Sequence, residues 1–293
     1  MPRALVDTGI ELEYDTFGSP ADPALLLIAG FTTQMTDWAE SFCRALADGG
    51  HFVIRFDNRD CGLSTKLDGQ MADVAGAMTA ALADLPGPSL PYTLADMAAD
   101  AIGLLDHLGI DKAHVLGNSM GGMIAQTVAI NYPGRVRSLT SVMSQPGDPE
   151  VGQPTAEAME AIFSPTPLTR QEYIDDSPKW MVWHSKRYAD EQQVKAGAAL
   201  DFDRSFYPEG AHRQLAAIYG SGRRAAALQV LDVPTLVIHG RDDQLITPSG
   251  GFRTAELIPG ANLLFVADMG HDLPEPLWPL LTDAILSHTR RAG

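Results

Sequence analysis

Cysteine is nearly absent: Cys43 and Cys61 are the two in 293 residues. Two are too few for a disulfide framework, and their separation is not that of a metal site. Each reads as a buried or incidental thiol, and no structural metal is expected. Positive charge is also scarce, with 21 Lys and Arg against 37 Asp and Glu and a formal net charge of −16. That balance argues against nucleic acid or an anionic membrane surface as a partner, and its simplest role is solubility. No apolar run approaches the roughly 20 residues that a membrane-spanning helix needs. The start, Met1-Pro2-Arg3-Ala4-Leu5-Val6-Asp7, has no apolar stretch of signal-peptide length. A cytoplasmic protein is expected. Internal repeats are lacking as well.

What is present is ordinary for a soluble enzyme: 45% hydrophobic and 20% charged residues. Apolar runs at 24–28, 52–56, 113–116, 136–142, 235–239 and 262–266 read as strands. Amphipathic stretches at 38–47, 94–108, 122–131, 251–257 and 277–289 read as helices between them. Near-continuous apolar strands separated by helices imply a mostly parallel sheet covered on both faces. Glu11-Leu12-Glu13-Tyr14 alternates instead, and suits an antiparallel edge strand.

The rhythm breaks between about Gln145 and Leu228. Seven prolines punctuate helical pieces that carry Trp180, Met181, Trp183, Phe202 and Phe206, and no central-strand pattern occurs. The expected organisation is a core over residues 1–144, a helical cap inserted over 145–228, and the rest of the core over 229–293. Most of the cap aromatics should pack the cap onto the core, and a few should line a ligand cleft. Leu67 to Pro91 reads as a loop–helix excursion near the same rim.

Gly117-Asn118-Ser119-Met120-Gly121 follows the strand at 113–116 and opens the helix ending before Pro133. A serine in a tight strand-to-helix turn between glycines is a nucleophile elbow. The turn strains the serine backbone, and a Cβ two residues to either side would collide with the neighbouring strand and helix. A serine hydroxyl is a weak nucleophile at neutral pH, so it needs a base, and the base an orienting carboxylate. On such a sheet these follow in the order serine, acid, histidine. Of the eight histidines only His271 and His288 lie well beyond the later strands. His288 falls in the terminal helix and is expected at the surface. His271 follows the last strand in a loop, and is the base.

The acid should come from the loop after the 235–239 strand, which offers Asp242 and Asp243. Asp243 is favoured because Leu245-Ile246-Thr247-Pro248 follows and would pin the loop; Asp242 remains an alternative. The developing oxyanion needs two fixed backbone donors. Met120 N–H, at the positive end of its helix, is one. Phe31 N–H, in the loop Ala29-Gly30-Phe31-Thr32 after the 24–28 strand, is the other. The polar segment Arg55 to Ser64 reads as a loop-bracing network rather than a substrate site.

With these residues in place, the chain resembles the α/β-hydrolase superfamily over nearly its whole length. The matching pieces are the Gly30 loop, Asp57-x-Arg59-x-x-Gly62-x-Ser64, the elbow at Ser119, the Asp243 loop and Gly270-His271. Within it the chain is similar to the aclacinomycin methylesterase-like and mycobacterial carboxylesterase-like group. Supporting runs are 18–27, Asp57-Asn58-Arg59-Asp60 and Gln214-Leu215-Ala216-Ala217-Ile218. The resemblance implies a Ser119–Asp243–His271 triad and no cofactor. One position departs from it: many members carry His-Gly in the oxyanion loop, and here the histidine position is Ala29. A side-chain brace is thereby lost, but not a donor.

The function expected is hydrolysis of a hydrophobic small-molecule carboxylic ester through an acyl-enzyme. A homo-oligomer is allowed by the sequence. Alternatives with the same triad are a prolyl aminopeptidase-type peptidase, a carbon–carbon bond hydrolase and a cofactor-free perhydrolase. A peptidase would need a carboxylate such as Glu209 or Asp201 to hold an amine. A non-catalytic binding module is a further alternative, disfavoured because all three triad members are present.

Overall fold

Five consecutive apolar residues, Ala24 to Ile28, are all buried, because both faces of their strand are covered. Leu26 and Ile28 point into one hydrophobic core, while Leu25 and Leu27 point into a second on the opposite face. This alternation is the period of two of a strand. It divides the molecule into helix, sheet and helix layers. The computed structural model describes residues 1–292.

The strands are β1 (Arg3–Leu5), β2 (Glu11–Phe17), β3 (Ala24–Ile28), β4 (Phe52–Phe56), β5 (Ala113–Asn118), β6 (Val136–Val142), β7 (Thr235–Gly240) and β8 (Asn262–Val266). They form one sheet in the order β1-β2-β4-β3-β5-β6-β7-β8. The pairs β1–β2 and β2–β4 are antiparallel and every later pair is parallel. The helices α1 (Glu40–Asp48), α2 (Val74–Ala83), α3 (Leu94–His107) and α4 (Met120–Asn131) precede β6. One core is filled from α3 and α4, by residues such as Met97, Ala101, Ile124 and Val128. The other is filled from α1 and the terminal helix, by Phe42, Leu46, Leu281 and Ile285.

Two expectations need correction. The alternating segment at Glu11 is antiparallel but not the edge; β1 lies outside it and leaves Leu12 and Glu13 buried. His288 is not at the surface: it is 4% exposed, with Nε2 3.2 Å from the Leu139 carbonyl oxygen of β6. The terminal helix lies on the sheet there, so its inward stripe includes His288, and burial lowers the imidazole pKa.

Between β6 and β7 the chain runs through α5 (Ala156–Phe163), α6 (Arg170–Asp176), α7 (Glu191–Arg204), α8 (Glu209–Gly220) and α9 (Ala225–Leu228), and no strand occurs among these described residues. Then α10 (Ser249–Leu257) joins β7 to β8, and α11 (Trp278–Arg291) closes the chain. Tyr173, Trp180, Phe202 and Phe206 of the helical excursion pack ring on ring, Phe202 and Phe206 with centroids 4.3 Å apart.

Strand order fixes where a ligand can bind. From β3 the chain first adds β4 on one side, and later β5 on the other. The crevice beyond the carboxyl ends of β3 and β5 is therefore a topological switch point, where open α/β sheets bind ligands.

Candidate active site

Ser119 stands at that switch point, directly after β5 and before α4, with φ 54° and ψ −122°. This is a left-handed, strained conformation for a residue other than glycine. The turn survives because its surroundings over-determine it. Ser119 N–H donates to the Val142 carbonyl at 2.9 Å, and Ser144 Oγ donates to the Ser119 carbonyl at 2.8 Å. A Cβ at Gly117 would overlap the Gly121 carbonyl, and one at Gly121 would overlap the Ile28 carbonyl of β3. Both glycines are demanded by close approach, one to the helix and one to the neighbouring strand. The helix begins at Met120 rather than at Gly122, so the serine is its N-cap residue.

The loop after β3 lies against this elbow. A Cβ at Gly30 would sit 3.3 Å from Ser119 Cβ. Phe31 and Met120 N–H groups have no acceptor among the described residues. Met120 has none because the first turn of a helix leaves its amides unpaired. Ser119 Oγ likewise has no hydrogen-bond partner among them. Phe31 is half-buried against the hydrophobic core that α3 and α4 fill.

His271 follows β8 in the loop that faces the same edge of the sheet. Its Nδ1 lies 2.8 Å from Asp243 Oδ2, with the two side chains 7% and 0% exposed. Asp243 also accepts from Leu245 N–H at 3.0 Å and Ile246 N–H at 2.9 Å on its other oxygen. His239 Nε2 approaches Asp243 Oδ2 at 3.3 Å and the Ile246 carbonyl at 2.8 Å. Burial alone would raise the Asp243 carboxyl. The His271 charge and the hydrogen bonds from His239 and His271 outweigh it and hold the group below its ordinary value. Asp242 does not join this pair. Its backbone amide donates to the Met269 carbonyl at 2.9 Å, and it serves the loop.

The excursion between β6 and β7 touches both halves of the site. His271 N–H donates to the Trp183 carbonyl at 2.7 Å. Ser185 Oγ and its amide bind Asp272, the amide at 2.9 Å, and Gly270 N–H donates to Ser185 Oγ at 2.9 Å. On the other side Gln34 Nε2 donates to the carbonyls of Asp201 at 2.7 Å and Ser205 at 3.2 Å. Arg204 reaches Asp57 at 2.8 Å and Gln34 Oε1 at 2.6 Å. Of the residues that the excursion itself contributes here, the sequence marks only Trp183, among the aromatics of that segment, and Asp201, as a possible amine holder.

Arg55 to Ser64 is the bracing network expected. Asp57, fully buried, accepts from Met35 N–H at 2.7 Å and Leu63 N–H at 2.8 Å. Asn58 Nδ2 donates to the Ala29 carbonyl at 2.9 Å. Arg59 binds both oxygens of Asp100, and Asp60 receives both arms of Arg213. Cys61 and Cys43 are buried free thiols, with burial pushing both pKa values upward.

Two further carboxylates, Asp37 and Asp201, interact with this group of residues or with each other. Asp37, on the turn Met35–Asp37, accepts from Asn118 Nδ2 at 3.4 Å and feels the charges of His271 and Asp272. Solvent reaches Asp37, yet protein surrounds it closely enough to raise its carboxyl. Asp201 of α7 is pushed up to about 7, first by burial and then by the charge of Asp37. No group of three or more metal-ligating side chains occurs among the described residues. No described helix is long and apolar enough to cross a membrane.

The α/β-hydrolase fold family model matches residues 23–275. Rhodomycin D methylesterase of Streptomyces peucetius is 28% identical over 99% of this chain and 98% of its own length. 2-Hydroxymuconate semialdehyde hydrolase of Pseudomonas putida is 27% identical over 86% of this chain and 89% of its own. The crystal structure of the enol-lactonase from Burkholderia xenovorans LB400 superposes with a TM-score of 0.75 at 23% identity, over 99% of this chain and 100% of that one, and shows the fold alone. The matched span covers most of the chain, taking in the loop at Gly30, the turn at Ser119 and the loop at His271, and the chain belongs to the α/β-hydrolase family.

Proposed function

We propose that Ser119, His271 and Asp243 act as one catalytic unit that hydrolyses a carboxylic ester of a small, largely apolar molecule. The protein is an esterase-type hydrolase, in line with the methylesterase relatives that span its whole length. The observation that carries the residue assignment is the 2.8 Å contact between His271 and Asp243 at the sheet edge that also bears the strained Ser119.

Ser119 Oγ attacks the ester carbonyl while His271 Nε2 takes its proton. Asp243 holds Nδ1–H, fixes the tautomer and stabilises the imidazolium. The carbonyl oxygen becomes an oxyanion held by Phe31 and Met120 N–H, of which either is worth about 10²- to 10³-fold in rate. Collapse of this intermediate expels the alcohol, protonated by His271, and leaves an acyl-serine. A water molecule, deprotonated by His271, then attacks the acyl carbonyl; a second tetrahedral intermediate releases the acid and returns the proton to Ser119.

The helices over residues 145–228 are assigned as a cap whose aromatic group at Tyr173, Trp180, Phe202 and Phe206 favours apolar substrate surface. Asp37 and Asp201 set the charge preference, because a carboxylate-bearing substrate would be repelled there. A neutral ester therefore fits better than an anionic carbon–carbon hydrolase or lactonase substrate. The buried free thiols suit a reducing compartment, and we place the enzyme in the cytoplasm. Turnover of p-nitrophenyl esters set against aminoacyl-naphthylamides and muconate-type acids tests the reading. Faster turnover of either rival class would overturn it.

A further inference from the structure

Thr32 follows the oxyanion donor Phe31 in sequence and stands at φ 58°. It is β-branched, and a β-branched residue in the left-handed region is a true outlier that its surroundings must enforce. Its amide gives the reason it persists. Thr32 N–H donates to Gln214 Oε1 at 2.8 Å, across 182 residues of chain. Gln214 lies on α8, is 1% exposed, and uses Nε2 to donate to the Arg59 carbonyl at 3.0 Å. Both ends of this amide are thus satisfied in a buried setting, which fixes its rotamer.

The peptide carrying Phe31 N–H is pinned through its two neighbours. The preceding peptide is held by Asn58 Nδ2 on the Ala29 carbonyl at 2.9 Å. The following peptide is held on both sides: Thr32 Oγ1 donates to the Phe31 carbonyl at 2.7 Å, and Thr32 N–H is taken by Gln214. Beyond it, Cys61 Sγ lies 3.2 Å from the carbonyls of Thr32 and Thr33. The Phe31 amide is therefore held between two fixed peptides, while its own N–H has no acceptor among the described residues.

α8 cannot easily withdraw this support. Arg213, the residue before Gln214, is a buried bidentate partner of Asp60, with contacts of 2.8 and 2.9 Å. A Cβ on Gly210 would overlap the Asp60 carbonyl, so the helix lies directly on the loop after β4.

We infer that Gln214 is a positioning residue for the oxyanion hole. Reaching from the helical excursion, it locks the Phe31 amide onto the carbonyl oxygen by holding Thr32 in its strained conformation. This rests on the assignment of Ser119 and Phe31 above. It also supplies a brace from α8 where Ala29 offers none from the loop itself.

Gln214→Met keeps length and volume and removes both hydrogen bonds. Rates are read per active site titrated with a fluorophosphonate, so any unfolded fraction drops out. The expected result is a kcat lower by about 10- to 100-fold, the size a small misplacement of a catalytic group produces, with KM changed less than twofold. Affinity for a trifluoromethyl ketone, which forms an oxyanion on the serine, should fall by the same factor as kcat/KM. Adding Thr32→Asn, a residue at ease in the left-handed region, should restore part of that kcat. A merely structural role would lower stability without the matching loss of ketone affinity and without rescue. Gln214→Met retaining kcat within twofold, or losing it with ketone affinity intact, overturns the inference. If hydrolysis survives Ser119→Ala, the underlying assignment falls and the inference with it. If Ser119→Ala is inactive and Gln214→Met is unimpaired, the inference falls alone.

Discussion

His271 Nδ1 lies 2.8 Å from Asp243 Oδ2, and the other Asp243 oxygen is held by two backbone amides. The carboxylate therefore has one orientation, and the imidazole takes its orientation from it. Asp243→Asn keeps the shape but favours the wrong tautomer. A kcat loss of about 10⁴-fold is expected, against less than a twofold change for Asp242→Asn. Steady-state kinetics on one chromogenic ester decide between the two aspartates.

The same contacts set a pH window for stability. Asp243 is held below its ordinary value in the folded chain, so its charged form favours folding. That contribution is complete above the unfolded aspartate value of about 3.9 and is lost as pH falls toward the folded value. Thermal melts between pH 3 and 7 should show a steeper acid limb in the wild type than in Asp243→Asn. Parallel curves would contradict this.

Ser119 holds a positive φ of 54°, a conformation that glycine adopts without strain. Ser119→Gly removes the nucleophile and the left-handed penalty together, while Ser119→Ala removes only the nucleophile. Both should be inactive, with the glycine variant more stable than the alanine variant by about 1 kcal/mol, the strain relieved less the added freedom of the unfolded glycine. Urea denaturation of the two proteins measures the difference.

How much of this was legible in the sequence follows from the range of each interaction. The parallel strands read directly because both faces are buried and their residues are almost all apolar, as in Leu25 to Ile28. The elbow read from glycines whose Cβ positions are occupied by backbone. His271 is singled out by chain order alone, and its contact with Asp243 is what the structure adds. Arg3–Leu5 is too short to carry a pattern, so the sequence alone puts the edge at β2. His288 was misplaced because its helix ends in Thr289-Arg290-Arg291, which looks solvated, whereas packing on β6 is a tertiary fact. Gln214 lay in a run that marked the family, but its contact with Thr32 spans 182 residues and no local signal encodes it.

Charge near the site should govern substrate choice. Burial and the Asp37 charge push the Asp201 carboxyl up to about 7, so negative charge should build up there as pH rises through neutrality. For an ester that carries its own carboxylate, kcat/KM should fall through that range. A neutral ester of the same size should lack that step, and Asp201→Asn should abolish it for the anion. Identical profiles for both esters, unaltered by Asp201→Asn, would remove Asp201 from the site.

Buried and exposed ion pairs should differ sharply. Arg213→Ala leaves the fully buried Asp60 carboxylate unpaired and should cost about 3–5 kcal/mol. Arg170→Ala breaks an exposed, solvent-screened pair with Asp203 and should leave the denaturation midpoint close to that of the wild type. Equal losses in chemical denaturation would contradict the bracing role assigned to the Asp60 loop.

A nucleophilic Ser119 activated by His271 should react covalently with an electrophilic phosphonate. Peptide mapping by mass spectrometry after brief exposure to a fluorophosphonate tests this most directly. The expected result is one adduct, on the peptide that contains Ser119, formed far more slowly in His271→Ala and not at all in Ser119→Ala. An adduct on another residue, or ester hydrolysis undiminished in Ser119→Ala, would contradict the account.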